Sequence, residues 1–139
     1  MLRTFRLRTR WLLLVCLVLA PRAVADKIIH TTDWVASDEM AVILQRMNLN
    51  NLFPCHIEGR RRELNLEYRA DYCYFKPGMR WFYSRWGLTE EQYQGYTQFY
   101  RENRYAEYSR STFSDAGNTL YQVTWIQWTN KQAETSAVR

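Results

Sequence analysis

The chain matches itself at a shift of 52 residues, and this self-similarity restricts its fold more than any other feature. Lys27–Trp34 falls on Met79–Trp86, so Trp34 lies on Trp86. Val35–Phe53 falls on Gly87–Tyr105. Ser37 then matches Thr89, and the acidic pair Asp38-Glu39 matches Glu90-Glu91. Leu44, Met47, Asn51 and Phe53 match Tyr96, Phe99, Asn103 and Tyr105. Identity is low, but residue classes agree without a gap. Further on, "YRADYCYF" (68–75) corresponds to "LYQVTWIQW" (120–128) with a slip of one residue.

Each copy reads as strand, helix, strand, strand. In the second copy Thr89 is an N-cap, and Gln92 three residues on completes a capping box. Glu90 and Glu91 sit in the first turn, where the helix dipole favours acids. Tyr93, Tyr96, Phe99 and Tyr100 share one helical face. Asn103 is the helix stop, because asparagine tolerates the left-handed conformation. "RYAEYSRSTF" and "TLYQVTWIQW" are strands joined by a turn at "DAGN" (115–118), and Tyr121, Val123 and Trp125 face one side. In the first copy Ser37 is the cap, and Met40, Ile43, Leu44 and Met47 form the apolar stripe. "LFPCHIEG" and "NLEYRADYCYF" are its strands. Pro77-Gly78 suits a tight turn that would pair the last strand of copy one with the first of copy two. The expected fold is therefore α+β: two tandem strand-helix-strand-strand repeats, 27–75 and 79–128, sharing an antiparallel sheet with helices packed on one face.

Residues 1–25 stand apart from this pattern. Arg3, Arg6, Arg8 and Arg10 precede an apolar run, Trp11–Ala20, and Ala23-Val24-Ala25 has the small-x-small form of a cleavage site. The run is about half what a spanning helix needs, so the reading is a signal peptide, with no integral membrane span after cleavage. Export to the periplasm or the extracellular space follows. The leader holds five of the 19 basic residues and none of the 14 acids, so the remaining 114 residues have no formal net charge. The basic balance of the whole chain is thus no argument for nucleic acid, which needs a basic face. In an oxidising compartment the two remaining cysteines, Cys55 and Cys73, are expected to form a disulfide. With only His30 and His56 beside them, in no ligand-like spacing, no metal or other cofactor is expected. Residues 26–128 make one domain, and 129–139 are a polar tail.

Arg85-Trp86-Gly87-Leu88-Thr89, with Gln92-Tyr93-Gln94, then Asn103-Arg104-Tyr105 and the aromatic hairpin ending Leu120-Tyr121-x-Val123-x-Trp125, resembles the bacterial tandem repeat domain. That secreted module also occurs beside the serine-hydrolase domain of polyglycine hydrolases. The resemblance covers 79–128 well and 27–75 weakly. It implies a repeated helix-and-hairpin fold and an accessory role, and it brings no catalytic residue. The family has Gly-Tyr after the asparagine where this chain has Arg104-Tyr105, so the helix exit differs.

Nucleophilic catalysis needs a nucleophile with a base in reach. The chain has no Gly-x-Ser-x-Gly elbow. His30 reads as an ordinary strand residue, and a disulfide would consume the thiol beside His56. No catalytic residue is assigned, and the expectation is a non-enzyme. Arg60-Arg61-Arg62 offers an anionic contact but lies between Glu58 and Glu63, so a solvated turn is the plainer reading. Twenty of the 114 residues are aromatic, well above ordinary usage; core packing takes most of them, and strand alternation should leave some outside, with Phe82, Ser84 and Trp86 on the face opposite Trp81, Tyr83 and Arg85 and the wet face left open. In "RWFYSRW", Trp81, Tyr83 and Arg85 share one strand face, and rings beside an arginine suit a protein or glycan partner. The leading expectation is a secreted binding module using that surface. A small hydrolase or hydrolase inhibitor and a structural envelope component are the alternatives. No oligomeric state is implied.

Overall fold

The computed structural model describes residues 26–129; the expected signal peptide and all of the polar tail but Thr129 lie outside the described residues. The element order is β1 (Ile28–Thr31), α1 (Ser37–Asn48), β2 (Leu52–Arg62), β3 (Asn65–Tyr74), β4 (Met79–Leu88), α2 (Glu90–Glu102), β5 (Tyr105–Asp115) and β6 (Asn118–Trp128). The strands form two antiparallel three-stranded sheets, ordered β1-β3-β2 and β4-β6-β5. The expectation of one shared sheet is therefore corrected. Its reason is local: β3 already hydrogen-bonds β1 on one side and β2 on the other, so no edge is left for β4. The Pro77-Gly78 turn closes with Met79 N–H donating to the Lys76 carbonyl, but it hands the chain to a second sheet.

A spacing of 53 residues separates the starts of α1 and α2 (37 and 90), β2 and β5 (52 and 105) and β3 and β6 (65 and 118), while β1 and β4 start at 28 and 79. The backbone agrees. Asn51 and Arg104, and likewise Glu63 and Ala116, take positive φ between 47 and 65°.

Helix starts differ between the halves. Thr89 caps α2 as expected, accepting from Gln92 N–H at 3.3 Å while the Gln92 side chain accepts from Thr89 N–H at 3.0 Å. In α1 the cap position is Ala36, with no side-chain bond. Ser37 lies one residue inside, and its hydroxyl accepts from the Trp86 indole at 2.9 Å. Asn103 ends α2 differently from expectation as well. It keeps φ at −94° and its amide donates to the Phe99 carbonyl, while Arg104 adopts the left-handed turn at φ 65°.

Alternation along β6 distributes the core. Val123 and Trp125 pack with Tyr93 and Tyr100 of α2 and with Leu88. Ile126 joins Phe53, Cys55, Cys73 and Phe82 between the sheets. Met40 anchors α1 on Ile57, Tyr68, Ala70 and Tyr72. Strand β2 lies close against the second sheet. Thr124 donates to the Pro54 carbonyl at 2.9 Å, and Ser111 donates to the Ile57 carbonyl. A Cβ at Gly59 would stand 2.3 Å from the Phe113 ring, so glycine is what permits this approach. Cys55 and Cys73 form a disulfide between β2 and β3, with Cα atoms 5.7 Å apart.

Candidate functional site

Strand β4 is an edge of its sheet, and its alternation separates two environments. Phe82 and Ser84 turn inward and are buried, and Ser84 shares a hydroxyl contact of 2.9 Å with Thr124. Trp81 and Tyr83 face outward and remain 42% exposed. The outward set continues onto α2. Tyr83 stacks on Tyr100, with ring centroids 5.1 Å apart, and Tyr100 meets Phe99 edge-on at 5.4 Å. Phe99 is 56% exposed although it belongs to the tyrosine-rich stripe. The Arg85 guanidinium sits 5.0 Å from the Tyr96 ring. Among the described residues Arg85 enters no ion pair, so its charge is directed to the ring and to solvent.

Of these, Arg85, Tyr96, Phe99 and Tyr100 line an open cleft of about 630 Å³ with Glu91, Gln92 and Gly95, and Tyr83 reaches it only through its stack on Tyr100. Gly95 is the feature that sequence reasoning missed. A glycine inside a helix costs about 1 kcal/mol relative to alanine, and a Cβ here would meet nothing within 4 Å. No packing requirement explains it. Its effect is to keep the cleft floor low between Gln92 and Phe99. The signal was present in the sequence, as a glycine between helix-compatible neighbours in "EQYQGYTQF".

A second polar-aromatic cluster lies on the other flank of α2. Tyr93 and Tyr121 stack almost in parallel at 4.5 Å. The Tyr93 hydroxyl donates to Glu107 at 2.8 Å and accepts from Arg110 at 2.7 Å. Burial, reinforced by the Glu107 bond, raises the Tyr93 pKa. Tyr121 donates to Glu90, and bonds from Gln94 and Tyr121 hold the Glu90 carboxyl below its usual range. Every polar group named here has a partner, so this cluster fastens α2 to the sheet. Glu90 thus does more than complement the helix dipole.

The arginine triplet does not converge. Arg60 donates to Glu67 at 2.8 Å and lies 4.1 Å from the Trp34 ring. Arg61 pairs with Asp115 and holds that carboxyl below its usual range through the hydrogen bond. Arg62 is exposed at the end of β2. Arg69 approaches Trp34 as well, at 5.0 Å, and bonds Glu58 at 2.6 Å. His30 is exposed on β1, and His56 lies 3.5 Å from Glu58, which also serves Arg69. Neither histidine lines the cleft.

Asp26, Cys55 and Cys73 bring three potential ligand atoms within 4.8 Å of one another. The disulfide occupies both sulfurs, and Asp26 instead accepts from Lys76 and Tyr108. No helix among the described residues is long and apolar enough to cross a membrane. Comparison with family models, with curated proteins and with solved structures found no match. The site itself therefore defines the class: an α+β domain with an exposed aromatic-and-arginine shelf at a sheet edge.

Proposed function

We propose that the protein is an exported, non-catalytic module that binds a protein or glycan ligand on the shelf formed by Trp81, Tyr83, Arg85 and Phe99. The observation that carries this reading is the continuity of the exposed rings with the cleft over Gly95. Flat rings left in water at a cost to solubility, beside a cation with no carboxylate partner among the described residues, suit stacking against a sugar face or docking of a peptide. The helix glycine, Gly95, supports the reading, because it allows a ligand to approach the α2 backbone. The 53-residue spacing of element starts and left-handed turns supports a duplicated strand-helix-strand-strand unit of the bacterial tandem repeat type. In that reading each helix covers the outer face of its own sheet. The two halves are unequal at their first strand. β1 has four residues where β4 has ten, so only the second half carries a long outward aromatic face.

Probing arrays of polysaccharides and of extended peptides with the purified protein tests the proposal. Specific retention should appear and should be lost in Trp81→Ala and Phe99→Ala. Gly95→Leu should fill the cleft floor and abolish retention while the fold persists. Leu64→Ala, at an exposed turn remote in sequence, should change nothing. Absence of retention on both kinds of array, or retention indifferent to all three shelf variants, would overturn it.

A further inference from the structure

The outer edge of β4 has no hydrogen-bonding partner among the described residues, since β4 ends the order β4-β6-β5. Ten residues of edge strand are an invitation to pair with another strand. Two of the common protections are missing here, since β4 contains no proline and no lysine; it carries Arg80 and Arg85, and its irregularities lie near its ends. Between them, Trp81 to Arg85 runs in unbroken register against β6. Tyr83 is the centre of that regular stretch.

The sequence of this stretch decides what fits it. Two identical strands pairing antiparallel about a two-fold axis must set one residue opposite its own copy. Centring the axis on Tyr83 pairs the whole regular stretch. It also sets Trp81 opposite Arg85 of the second copy, Arg85 opposite its Trp81, and Phe82 opposite Ser84. Arg80 and Trp86 lie beyond the irregularities at either end and take no part in this pairing. Within the regular stretch the one arginine thereby faces a tryptophan in both directions, and no two like charges meet. Side chains directly opposite in an antiparallel pair lie about 5 Å apart at Cβ, within cation–π reach. Centring on Phe82 sets Arg80 opposite Ser84, and centring on Ser84 sets Arg85 opposite Tyr83, so neither gives an arginine a tryptophan.

From this self-complementarity we infer that β4 pairs with β4 of a second copy of this chain, joining the two β4-β6-β5 sheets into one six-stranded sheet. The occupant of the edge is the same chain, recognised by its own Arg-Trp alternation. Edge pairing leaves the outward face of Trp81 and Tyr83 uncovered. The shelves of the two copies become continuous, and Trp81 of one copy joins the Arg85–Tyr96 pair of the other at the rim of its cleft. The inference builds on the shelf proposed above only for the role of that joined surface. The pairing itself stands on β4 alone and is read without any ligand.

Sedimentation equilibrium on the protein expressed from residues 1–139 gives the test, from low micromolar to about 1 mM. A dimer is expected. Trp81→Lys sets a lysine opposite Arg85, and Arg85→Glu removes the cation from Trp81. Each should weaken the dimer on the order of tenfold or more. Mixed in equal amounts, these two variants should recover a heterodimer, because the introduced lysine faces the introduced glutamate. Tyr83→Lys faces itself across the axis and should be monomeric. Circular dichroism checks that each variant is folded. A wild-type monomer throughout the range, or a dimer unaffected by the variants, would overturn the inference. Failure of the mixture to restore association would overturn this register. Loss of ligand retention in a protein that still dimerises would count only against the shelf.

Discussion

Gly87→Ala should be among the most damaging small substitutions in the chain, and its cost separates into two physical parts. Gly87 sits on β4 at φ 65°, and a Cβ built there would lie 2.4 Å from the Tyr68 hydroxyl. Placing alanine in a left-handed conformation costs about 1–2 kcal/mol. Forcing an extra methyl into a packed contact costs about 1–3 kcal/mol more. Tyr68 cannot swing aside freely, because it is 2% exposed and its ring lies between Trp86 and Phe113 at 6.3 and 6.4 Å. The expected total is about 2–5 kcal/mol, or a fall in Tm of at least about 8 °C for a domain of this size. Urea unfolding of four proteins, wild type, Gly87→Ala, Tyr68→Phe and the double variant, resolves the parts. With the hydroxyl removed, the nearest Tyr68 atom is 3.4 Å from the added Cβ, an ordinary contact. In the Tyr68→Phe background Gly87→Ala should therefore cost only the backbone share of about 1–2 kcal/mol. Strict additivity of the two substitutions, or a Gly87→Ala cost below about 0.5 kcal/mol, would refute the close approach of β4 to Tyr68.

Arg104→Gly should stabilise the protein by about 1 kcal/mol, since Arg104 holds φ 65° without needing its side chain there, and thermal unfolding reads the gain. Reduction of the Cys55–Cys73 bond should cost about 2–4 kcal/mol, seen as a lower urea midpoint with reductant and no such effect in a Cys55→Ala/Cys73→Ala double variant. Burial raises the pKa of Tyr68 and of Tyr72 above the ordinary phenol value. A raised folded value means their contribution is intact below about pH 10 and is lost as pH climbs above it, where phenols of the unfolded chain ionise first. Urea midpoints should fall above about pH 10 while tyrosinate absorbance of the folded protein lags behind that of the unfolded chain.

Local chemistry was legible in the sequence wherever neighbours in the chain decide it. The Thr89–Gln92 capping box, the Asp115–Asn118 turn and the shared side of Tyr121, Val123 and Trp125 all follow from spacing. Partner choice between distant segments was not legible. The Pro77-Gly78 turn has the same residues whether β4 joins the first sheet or begins a second, and only the occupied edges of β3 decide it. Ser37 is a good cap by residue type, yet the Trp86 indole takes its hydroxyl, a contact across 49 residues that no local rule anticipates. For the shelf, alternation placed Trp81, Tyr83 and Arg85 together but not on the wet side. Burial of Phe82 and Ser84 against the other sheet fixes which side is wet.

Mapping a bound ligand onto the residues gives the most direct test of the shelf. The best glycan or peptide from the arrays, titrated into isotope-labelled protein, should shift the Trp81 indole N–H and the amides of Gly95 and Phe99 first and furthest. Resonances of Trp34 and His56 should stay in place. Shifts centred on Trp34 and Arg60, or on His56 and Glu58, with the shelf unmoved, would contradict the account.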